Sequence, residues 1–587
     1  MTSRVQELKE LSSSADSLAR EVSGLWDTWN RARAKWLAEQ EELRNYIFAV
    51  DTSTTSNSDN GWKNKTTIPK LCQIRDNLYA NYMSALFPNE EWLRWEGYSF
   101  NDNERQKAQA IEWYMLNKFR ESNSYSVVGQ LALDYIDSGN AFFDTEFVRE
   151  YKVEEDGSRI PKYIGPRLVR IAYDDIVFNP VASSFQNTPK IIRSMMSVGD
   201  IERAILTDPD KAYLADVLPK LKKMRDLAGA VRSEDFSKSL RFSIDGFGNL
   251  NDYFASGYVE ILELRGDVYD KASNTLVTDS VVTVVDRMFV ARSNKLPSWG
   301  GNTIRHVRWR TRPDNLWGMG PLNNLVGMQY RIDHLENLRA DVFDMIAVPM
   351  QKIRGDVPSF KYKPGGKIRL LNPEDDVDFL HPDVTALNAD TQISILEAKM
   401  EMFAGAPREA MGIRSPGEKT AFEYQSLITA AGRIFQEKTE NFEINGLELA
   451  LNDALEVTVR NMDAADVIRV HDDSVGAVTF MNVTKEDITA RGKLRPIGAR
   501  HFSAQAQLVQ NLTGLASTPI WQAISTHLSS KQLAKMVEDV LGLDRFALFQ
   551  DNVAVVEQLE TQRVVQAAQE TLAIEQMTPP EGIPDAQ

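Results

Sequence analysis

The segment between residues 318 and 460 constrains the architecture of the chain more than any other part of the sequence. It opens after the turn RPDNLWGMGP, which ends in Pro321, a favourable first residue of a helix. Apolar residues then recur every three or four positions as far as Met345, which predicts one helix of about 27 residues and about 40 Å. Pro349 ends this helix. A compact strand-and-turn insert follows at 349–384, with KPGGK as its turn.

Two more helices follow this insert. The first has Ile393, Leu396, Met400 and Phe403 at helical spacing. Glycines and prolines then interrupt the pattern. The second helix is predicted from Thr420 to about residue 460, which makes it roughly 60 Å long. The order is therefore helix, small β insert, helix, Gly/Pro loop and very long helix.

The rest of the chain mixes helices with strands, which predicts an α+β fold that is mainly helical. Helical periodicity precedes residue 139, alternating strand patterns follow it, and helical patterns return near the end. The predicted helical regions are 1–50, 68–88, 104–120, 124–138 and 503–577, and the predicted strand regions are 139–195, 258–293 and 464–500. We expect the last ten residues, TPPEGIPDAQ, to form a disordered tail.

Charge and cysteine content exclude several classes of protein. The 587 residues carry a net charge of −16, which argues against a protein that grips nucleic acid along its whole surface, since that affinity comes from neutralising phosphates. The single cysteine, Cys72, excludes an internal disulfide framework and fits assembly in a reducing cytoplasm. The polar start is unlike a secretion signal, and no apolar run is long enough to span a membrane.

One stretch comes close to a nucleotide-binding loop without matching it. Gly412 and Gly417 precede Lys419, but Glu418 stands where the lysine of a phosphate-binding loop belongs, and the preceding sequence is helical in pattern rather than a strand. The six histidines show no metal-ligand spacing, and the acidic turns at 208–210 and 373–376 read as solvated. The sequence therefore predicts no catalytic, cofactor-binding or metal site, and no enzyme.

A basic cluster lies within the β insert, and Asp356 is the only acid inside it. The chain as a whole is acidic, so the net charge of this segment is opposite in sign to that of the rest. A positive segment favours contact with phosphates or an acidic partner. Lysines that protect a sheet edge from pairing account for it equally well. The cluster consists of Lys352, Arg354, Lys361, Lys363, Lys367 and Arg369.

In the order of these elements the sequence resembles the portal proteins, or head-to-tail connectors, of tailed bacteriophages, and the short-tailed podovirus-like branch in particular. The resemblance rests on GMGPLNNLVGMQYRIDHLENLRADVFDMIAVP, PGGKIRLLNPEDDVDFLHP, ILEAKMEMFAGA and GEKTAFEYQSLITAAGRIFQEKTENFEINGLELALNDALE. It extends with WDTWNRARAKWL, SALFPNEEWLRWE and GKLRPIGARHF over most of residues 20–545. The resemblance rests on the order of the elements and on the residue patterns of these segments, since no catalytic signature is involved.

This resemblance implies the portal fold of wing, stem, clip and crown in a ring oligomer, most simply of twelve subunits. By the resemblance the parts are the wing at 1–317, a stem helix at 318–348, the clip at 349–384, a second stem helix at 385–406, the tunnel loop at 407–419, the long helix and strands of the wing at 420–499, and the crown at 500–587.

It also implies a function and a set of partners. The ring would form the channel at one capsid vertex through which double-stranded DNA is packaged and ejected, without sequence specificity. Arg408, Arg414 and Lys419 of the tunnel loop would touch the DNA, and the clip cluster would bind partners. Those partners are the terminase large subunit and later a tail adaptor, with the major capsid and scaffolding proteins around the ring. The protein would be assembled in the host cytoplasm and reside in the virion. A non-portal structural or scaffolding protein of a large viral assembly is the alternative.

Overall fold

The computed structural model of the chain describes most of the first 500 residues in segments. The described residues are 16–48, 63–87, 92–97, 102–153, 158–228, 258–271, 273–296, 302–355, 370, 373–374, 376–380, 388–404, 434–462, 466–472, 477–489 and 492–496, with only the backbone described at 102–106, 109, 153, 224–228, 258, 467–472 and 477–482. Within these segments about 51% of residues are helical and about 31% are in strands. The α+β class is confirmed. The predicted helix at 503–577, the C-terminal tail and the tunnel loop lie outside the described residues.

The helices are α1 Ser17–Ala32, α2 Ala34–Phe48, α3 Lys70–Leu86, α4 Asp102–Glu121, α5 Ser124–Asp137, α6 Val198–Thr207, α7 Leu218–Ala228, α8 Val326–Ala347, α9 Ala389–Ala404 and α10 Glu448–Asn461. Short 3₁₀ turns occupy Tyr173–Asp175, Pro209–Leu214 and Asn323–Leu325, and one π-helical turn, Glu443–Leu447, leads into α10. None of these described helices is long and apolar enough to cross a membrane.

The strands are β1 Leu93–Gly97, β2 Asn140–Val153, β3 Arg159–Ile171, β4 Ile176–Phe178, β5 Lys190–Ser197, β6 Tyr258–Asp270, β7 Thr275–Val285, β8 Phe289–Lys295, β9 Arg305–Arg308, β10 Arg310–Arg312, β11 Asn315–Met319, β12 Met350–Arg354, β13 Asp376–Leu380, β14 Asp466–Asp472, β15 Ala477–Val483 and β16 Gly492–Pro496. They form a five-stranded sheet in the order β4-β5-β6-β7-β8, a three-stranded sheet β3-β2-β9, and the pairs β1-β16, β10-β11, β12-β13 and β14-β15. All pairings are antiparallel.

Helices cover both faces of the five-stranded sheet. Along β6 the side chains alternate between the faces, as the period of two in a strand requires. Leu262 and Leu264 pack with Trp26 of α1, whereas Val259 and Ile261 pack with the side of the sheet that carries α6 and α7. The sheet is therefore the middle layer of three.

The N-terminal helical region is broken at Arg33, where the periodicity predicted one helix. α1 packs on the sheet and α2 contacts α3, so the two halves bury different faces. The Arg33 guanidinium donates hydrogen bonds to the carbonyl of Asp174 at 2.6 Å and of Ile176 at 2.8 Å, and also to that of Tyr173. The break lets one buried cation satisfy three loop carbonyls, which an uninterrupted helix does not allow.

An aromatic core joins β2, β4, β9 and β11. Phe142, Phe178 and Trp317 are buried, Phe178 stacks on Trp317 with ring centres 4.8 Å apart, and Trp36 lies 4.4 Å from Trp317. The large number of aromatic residues in the sequence therefore has a use inside the single chain. Gly139 lets the backbone of this core close up, because its φ is +70° and a Cβ there would meet the backbone of Met319 and Gly320 at 2.2 Å.

The first stem helix is shorter than the sequence predicts. The strand β11 occupies residues 318–319, a 3₁₀ turn follows, and α8 begins only at Val326. The reason lies in tight packing before the helix: Gly320 donates its N–H to Asn323 Oδ1 at 2.9 Å, and a Cβ on it would meet the carbonyl of Ile136 at 2.7 Å. The helix predicted from the spacing of Ile393, Leu396, Met400 and Phe403 is confirmed as α9.

The chain divides into two compact units. The first contains residues 1–466 and 483–499, and it holds every sheet named above except β14-β15. The second contains residues 467–482 and 500–587, of which the structure describes the β14-β15 pair. The sequence patterns missed α6 and α7. Ser197 caps α6, and Asp208 caps the 3₁₀ turn Pro209–Leu214 that precedes α7.

Candidate oligomer interface on the two-helix limb

We call α8, the hairpin strands β12 and β13, and α9 the limb. An extended segment, residues 63–68, is bound along α8, and we call it the strap. The side chains of Gln329, Asp333, Asn337 and Asp341 recur every four residues on α8 and therefore share one face of the helix. These four side chains hydrogen-bond the backbone of the strap in sequence.

We call these four side chains the ladder. They give the backbone of the strap the hydrogen-bond partners that a neighbouring β-strand would otherwise supply. Asn337 accepts from the N–H of Thr66 at 2.8 Å and donates to its carbonyl at 2.9 Å, as a paired strand residue would. Asp341 accepts from the N–H groups of Lys63 and Asn64 at 3.0 and 2.9 Å. Buried backbone groups need such partners. The polar stripe on α8 thus fixes the register of the strap.

Asp333 is the most unusual group in this ladder. It is fully buried, and its Oδ1 accepts from the N–H of Ile68 at 3.0 Å and from Gln329 Nε2 at 2.8 Å. Its Oδ2 and the Oε1 of Gln329 are buried without a hydrogen-bond partner. Burial raises the pKa of Asp333 to about 7, against the lowering effect of its two hydrogen bonds. A neutral carboxylic acid at this position supplies a donor that the site otherwise lacks.

The strap leads directly into a buried ion pair. Lys70, the first residue of α3, places its Nζ 2.6 Å from Glu401 of α9, and both side chains are buried. Lys70 also donates to Gln73 at 3.0 Å. The segment 63–70 therefore binds both helices of the limb and sets how they meet the rest of the first unit.

The outward surface of the limb is apolar. Eleven of the twenty-one large hydrophobic side chains that are exposed among the described residues belong to residues 338–403. They are Leu338, Phe343, Met345, Val348, Met350, Ile353, Leu370, Leu380, Ile395, Met402 and Phe403. On α8 the polar residues Gln329, Asp333 and Asn337 are buried alongside Ile332 and Val342, while Phe343 is 54% exposed. An apolar concentration of this kind marks a surface that a partner covers.

The hairpin β12-β13 also indicates that a partner covers the limb, because none of the described residues packs over it. Every residue of β12 is exposed, and β13 alternates between exposed and half-buried positions. A two-stranded ribbon alone is at best marginally stable in water. Met350 at 71% exposure and Ile353 at 52% are therefore expected to gain their packing from another chain.

The structure describes two residues of the predicted basic cluster, and it pairs both with acids. In the β12-β13 register Lys352 lies opposite Asp378 and Arg354 opposite Asp376. Opposite charges across strands stabilise a hairpin, so this end of the cluster is mixed in sign, whereas the sequence interval 352–369 is almost purely basic. The other cluster members, Lys361, Lys363, Lys367 and Arg369, lie outside the described residues, as do Arg408, Arg414 and Lys419.

The sequence reasoning missed the ladder, although the signal is present. Polar residues at 329, 333, 337 and 341 form a stripe as regular as the apolar one on the same helix. Only the strap, which is more than 260 residues away in sequence, shows that the polar stripe is buried.

One cavity of about 480 Å³ lies apart from the limb, between α4, β2, β3 and the end of α10. Lys118 is one of the residues that line it, with Nζ 2.6 Å from Asp466 and within 5.8 Å of the ring centres of Tyr114 and Tyr163. Among the described residues no group of three or more His, Cys, Asp or Glu side chains is placed to hold a metal ion.

No protein-family model matches the chain, and no curated protein matches it at a significant level.

Proposed function

We propose that the protein is a subunit of a ring that forms the portal of a tailed bacteriophage, and that the limb is where neighbouring subunits pack. The observation that carries the proposal is the set of large apolar side chains exposed on the limb, together with the uncovered hairpin. In a ring of this chain, the apolar side chains of one limb contact the next subunit, and the polar ladder holds each limb to its own body.

The charge of the chain supports a channel for DNA. Each copy carries −16, so a ring of about twelve copies repels a polyanion over most of its surface, and DNA moves through without sticking. Proposed contacts come from the tunnel loop residues Arg408, Arg414 and Lys419. In this role the protein needs no cofactor and no catalytic activity, because a terminase large subunit supplies the motor.

The remaining proposed partners meet different parts of the ring. The clip, 349–384, docks the terminase and later the tail adaptor, the crown lies toward the capsid interior, and the capsid and scaffolding proteins surround the wing. The virion vertex is the proposed location.

The mass of the purified native assembly tests this proposal. We expect a single species near twelve times 66.3 kDa, formed without nucleotide. A double variant, Phe343→Ser with Phe403→Ser, should lose the ring and sediment as a smaller species, because it removes two exposed apolar contacts from the limb. Thermal melting should show that the chain still folds.

A matched control replaces exposed apolar residues elsewhere. Leu206 and Leu276 are each 57% exposed and lie outside the limb. Leu206→Ser with Leu276→Ser should leave the ring intact. A strictly monomeric native protein at micromolar concentration, or equal loss of assembly in both double variants, contradicts the proposed interface.

A further inference from the structure

Three arginines near the start of the limb have no carboxylate partner within the part of the chain that the structure describes. Arg308 ends β9, and Arg310 and Arg312 form the ends of β10. Among the described residues, no Asp or Glu forms an ion pair with any of the three. Arg305 of the same stretch shows the contrast, because it binds Asp453 through two hydrogen bonds of 2.6 and 2.7 Å. The difference singles out residues 308–312 in a chain whose net charge is −16.

Side-chain contacts hold the guanidinium groups of Arg310 and Arg312 in place. Trp309, between the first two, is buried and donates its indole N–H to Tyr82 at 3.1 Å. Arg310 lies 5.1 Å from the centre of this indole, and Arg312 donates to the carbonyl of Trp317 at 3.1 Å. All three arginines are half-buried. Their side chains therefore lose little further freedom on binding a ligand.

A fourth cation reaches the same indole from another element. Lys438 Nζ lies 5.3 Å from the Trp309 ring centre, and Asn441 of the same helical stretch donates to the carbonyl of Arg308 at 2.9 Å. Lys438 pairs with its neighbour Glu437 at 3.0 Å, and Asp314 lies at the adjoining turn. Counting both acids, the cluster remains positive.

The pKa values of Arg308 and His306 are both shifted in the direction expected for a site with excess positive charge. Burial lowers the pKa of Arg308, and no acid compensates. Burial, then Arg308, then Lys190 hold the pKa of His306 well below its usual value. A half-buried guanidinium without a carboxylate is costly, and its planar fork matches the geometry of a phosphate.

We propose that Arg308, Arg310, Arg312 and Lys438 form a phosphate-binding strip for the backbone of double-stranded DNA. The strip spans about 13 Å, at about 3.3 Å per extended residue, which is too long for one phosphate ion and covers several phosphates of one strand. The proposal rests on the proposed function for the choice of duplex DNA as the polyanion. The alternative polyanion is an acidic face of a second copy of this chain.

Binding of a fluorescent 20-base-pair duplex to the intact native assembly, measured over a range of salt concentrations, tests the strip. The variant Arg308→Gln, Arg310→Gln, Arg312→Gln should bind at least tenfold more weakly at low salt. The slope of log affinity against log salt should fall by about 0.9 for each lost phosphate contact. The corresponding triple Arg→Lys variant should keep most of the slope, since it keeps the charge. Because the Lys variant keeps the positive charges, its salt slope can still be compared with that of the wild type if the Gln variant fails to fold.

The matched control removes the same charge elsewhere. Arg31, Arg94 and Arg159 are exposed, and no ion pair holds them among the described residues. Their triple Gln variant should bind like the wild type. Equal losses in the two Gln variants, or an unchanged slope in the strip variant, overturn the proposal. Displacement of the duplex by inorganic phosphate at an equal phosphate concentration also overturns it, since the ligand is then a single ion.

The mass of each assembly, read in parallel, separates this inference from the proposed function. A strip variant with a normal salt slope but an altered assembly mass shows that the arginines face a neighbouring copy, and it overturns the DNA strip. A wild-type protein that shows the slope without forming a ring supports the strip and contradicts the portal proposal.

Discussion

The five-stranded sheet and the limb differ in how much apolar surface they leave exposed. Along β6 the leucines and valines are buried in helix-covered layers. Along α8 Ile332 and Val342 are buried beside the polar ladder, while Phe343 and Met345 are exposed. The sheet therefore buries its apolar side chains inside one chain. The limb keeps several large apolar side chains exposed, and both hydrogen bonds and apolar packing hold it to its own chain.

The largest expected effect on folding lies in the aromatic core. Trp317→Ala should destabilise the first unit by about 3–5 kcal/mol, because it empties a buried site between Phe178 and Trp36. Urea unfolding followed by tryptophan fluorescence of the dissociated chain measures it. Phe343→Ala, the limb counterpart, should change that free energy by less than about 0.5 kcal/mol. Similar losses in both variants would mean that the limb folds as part of the same core.

A second prediction compares two ion pairs at the ends of the strap. Lys70→Met should destabilise the fold by about 3 kcal/mol, because it leaves Glu401 buried without its cation. Lys63→Met removes an exposed partner of Asp344, 3.1 Å away, and should change stability little. Thermal melting of both variants at one salt concentration checks the contrast. Equal melting temperatures would contradict the assignment of the buried pair as the anchor of α9.

A third prediction uses the titration of Asp333. Its pKa is about 7 in the folded state, above its ordinary value of 3.8, so the folded protein binds the proton more tightly than the unfolded chain. The stabilisation is complete below about pH 4 and is lost as pH rises through 7. Asp333→Asn does not titrate. Its free energy of unfolding relative to the wild type should therefore rise by about 2–3 kcal/mol between pH 5 and pH 8.

Hydrogen exchange at the strap gives a local readout of the same variant. Relative to the wild type, Asp333→Asn should protect the amides of Thr66 and Ile68 more at pH 8 than at pH 5. If the two proteins keep a constant difference across this range, Asp333 is not the group that titrates.

The elements with strong local periodicity were predicted well. The patterns predicted α3, α4, α5 and α9, the strands of 139–195 and those of 258–293, and the structure confirms them. The errors have local causes that periodicity does not register. Arg33 breaks a continuous helix to reach loop carbonyls, and close glycine packing at Gly318 and Gly320 delays the start of α8. The π-helical turn at Glu443–Leu447 gives no signal in an apolar stripe.

The candidate interface was predicted only in outline. The sequence located a helix, an insert with basic residues and a second helix, but it gave no indication that the polar stripe of α8 is buried. Apolar spacing identifies a stripe and does not say whether its own chain or a neighbour covers it. The acids opposite Lys352 and Arg354 were also missed, because strand register depends on a turn that joins residues more than twenty positions apart.

The sequence by itself determined the α+β class, the order of elements around the limb and the acidic charge, because composition and short-range spacing are local properties of the chain. The tertiary structure alone decided that the polar stripe of α8 is buried, that Lys70 meets Glu401, and that no carboxylate of the described residues pairs with Arg308, Arg310 or Arg312. Each of these depends on which distant residues come together. Hydrogen bonds and ion pairs act over a few ångströms, so residues 63–70 exert their effect on α8 and α9 only after the chain has folded.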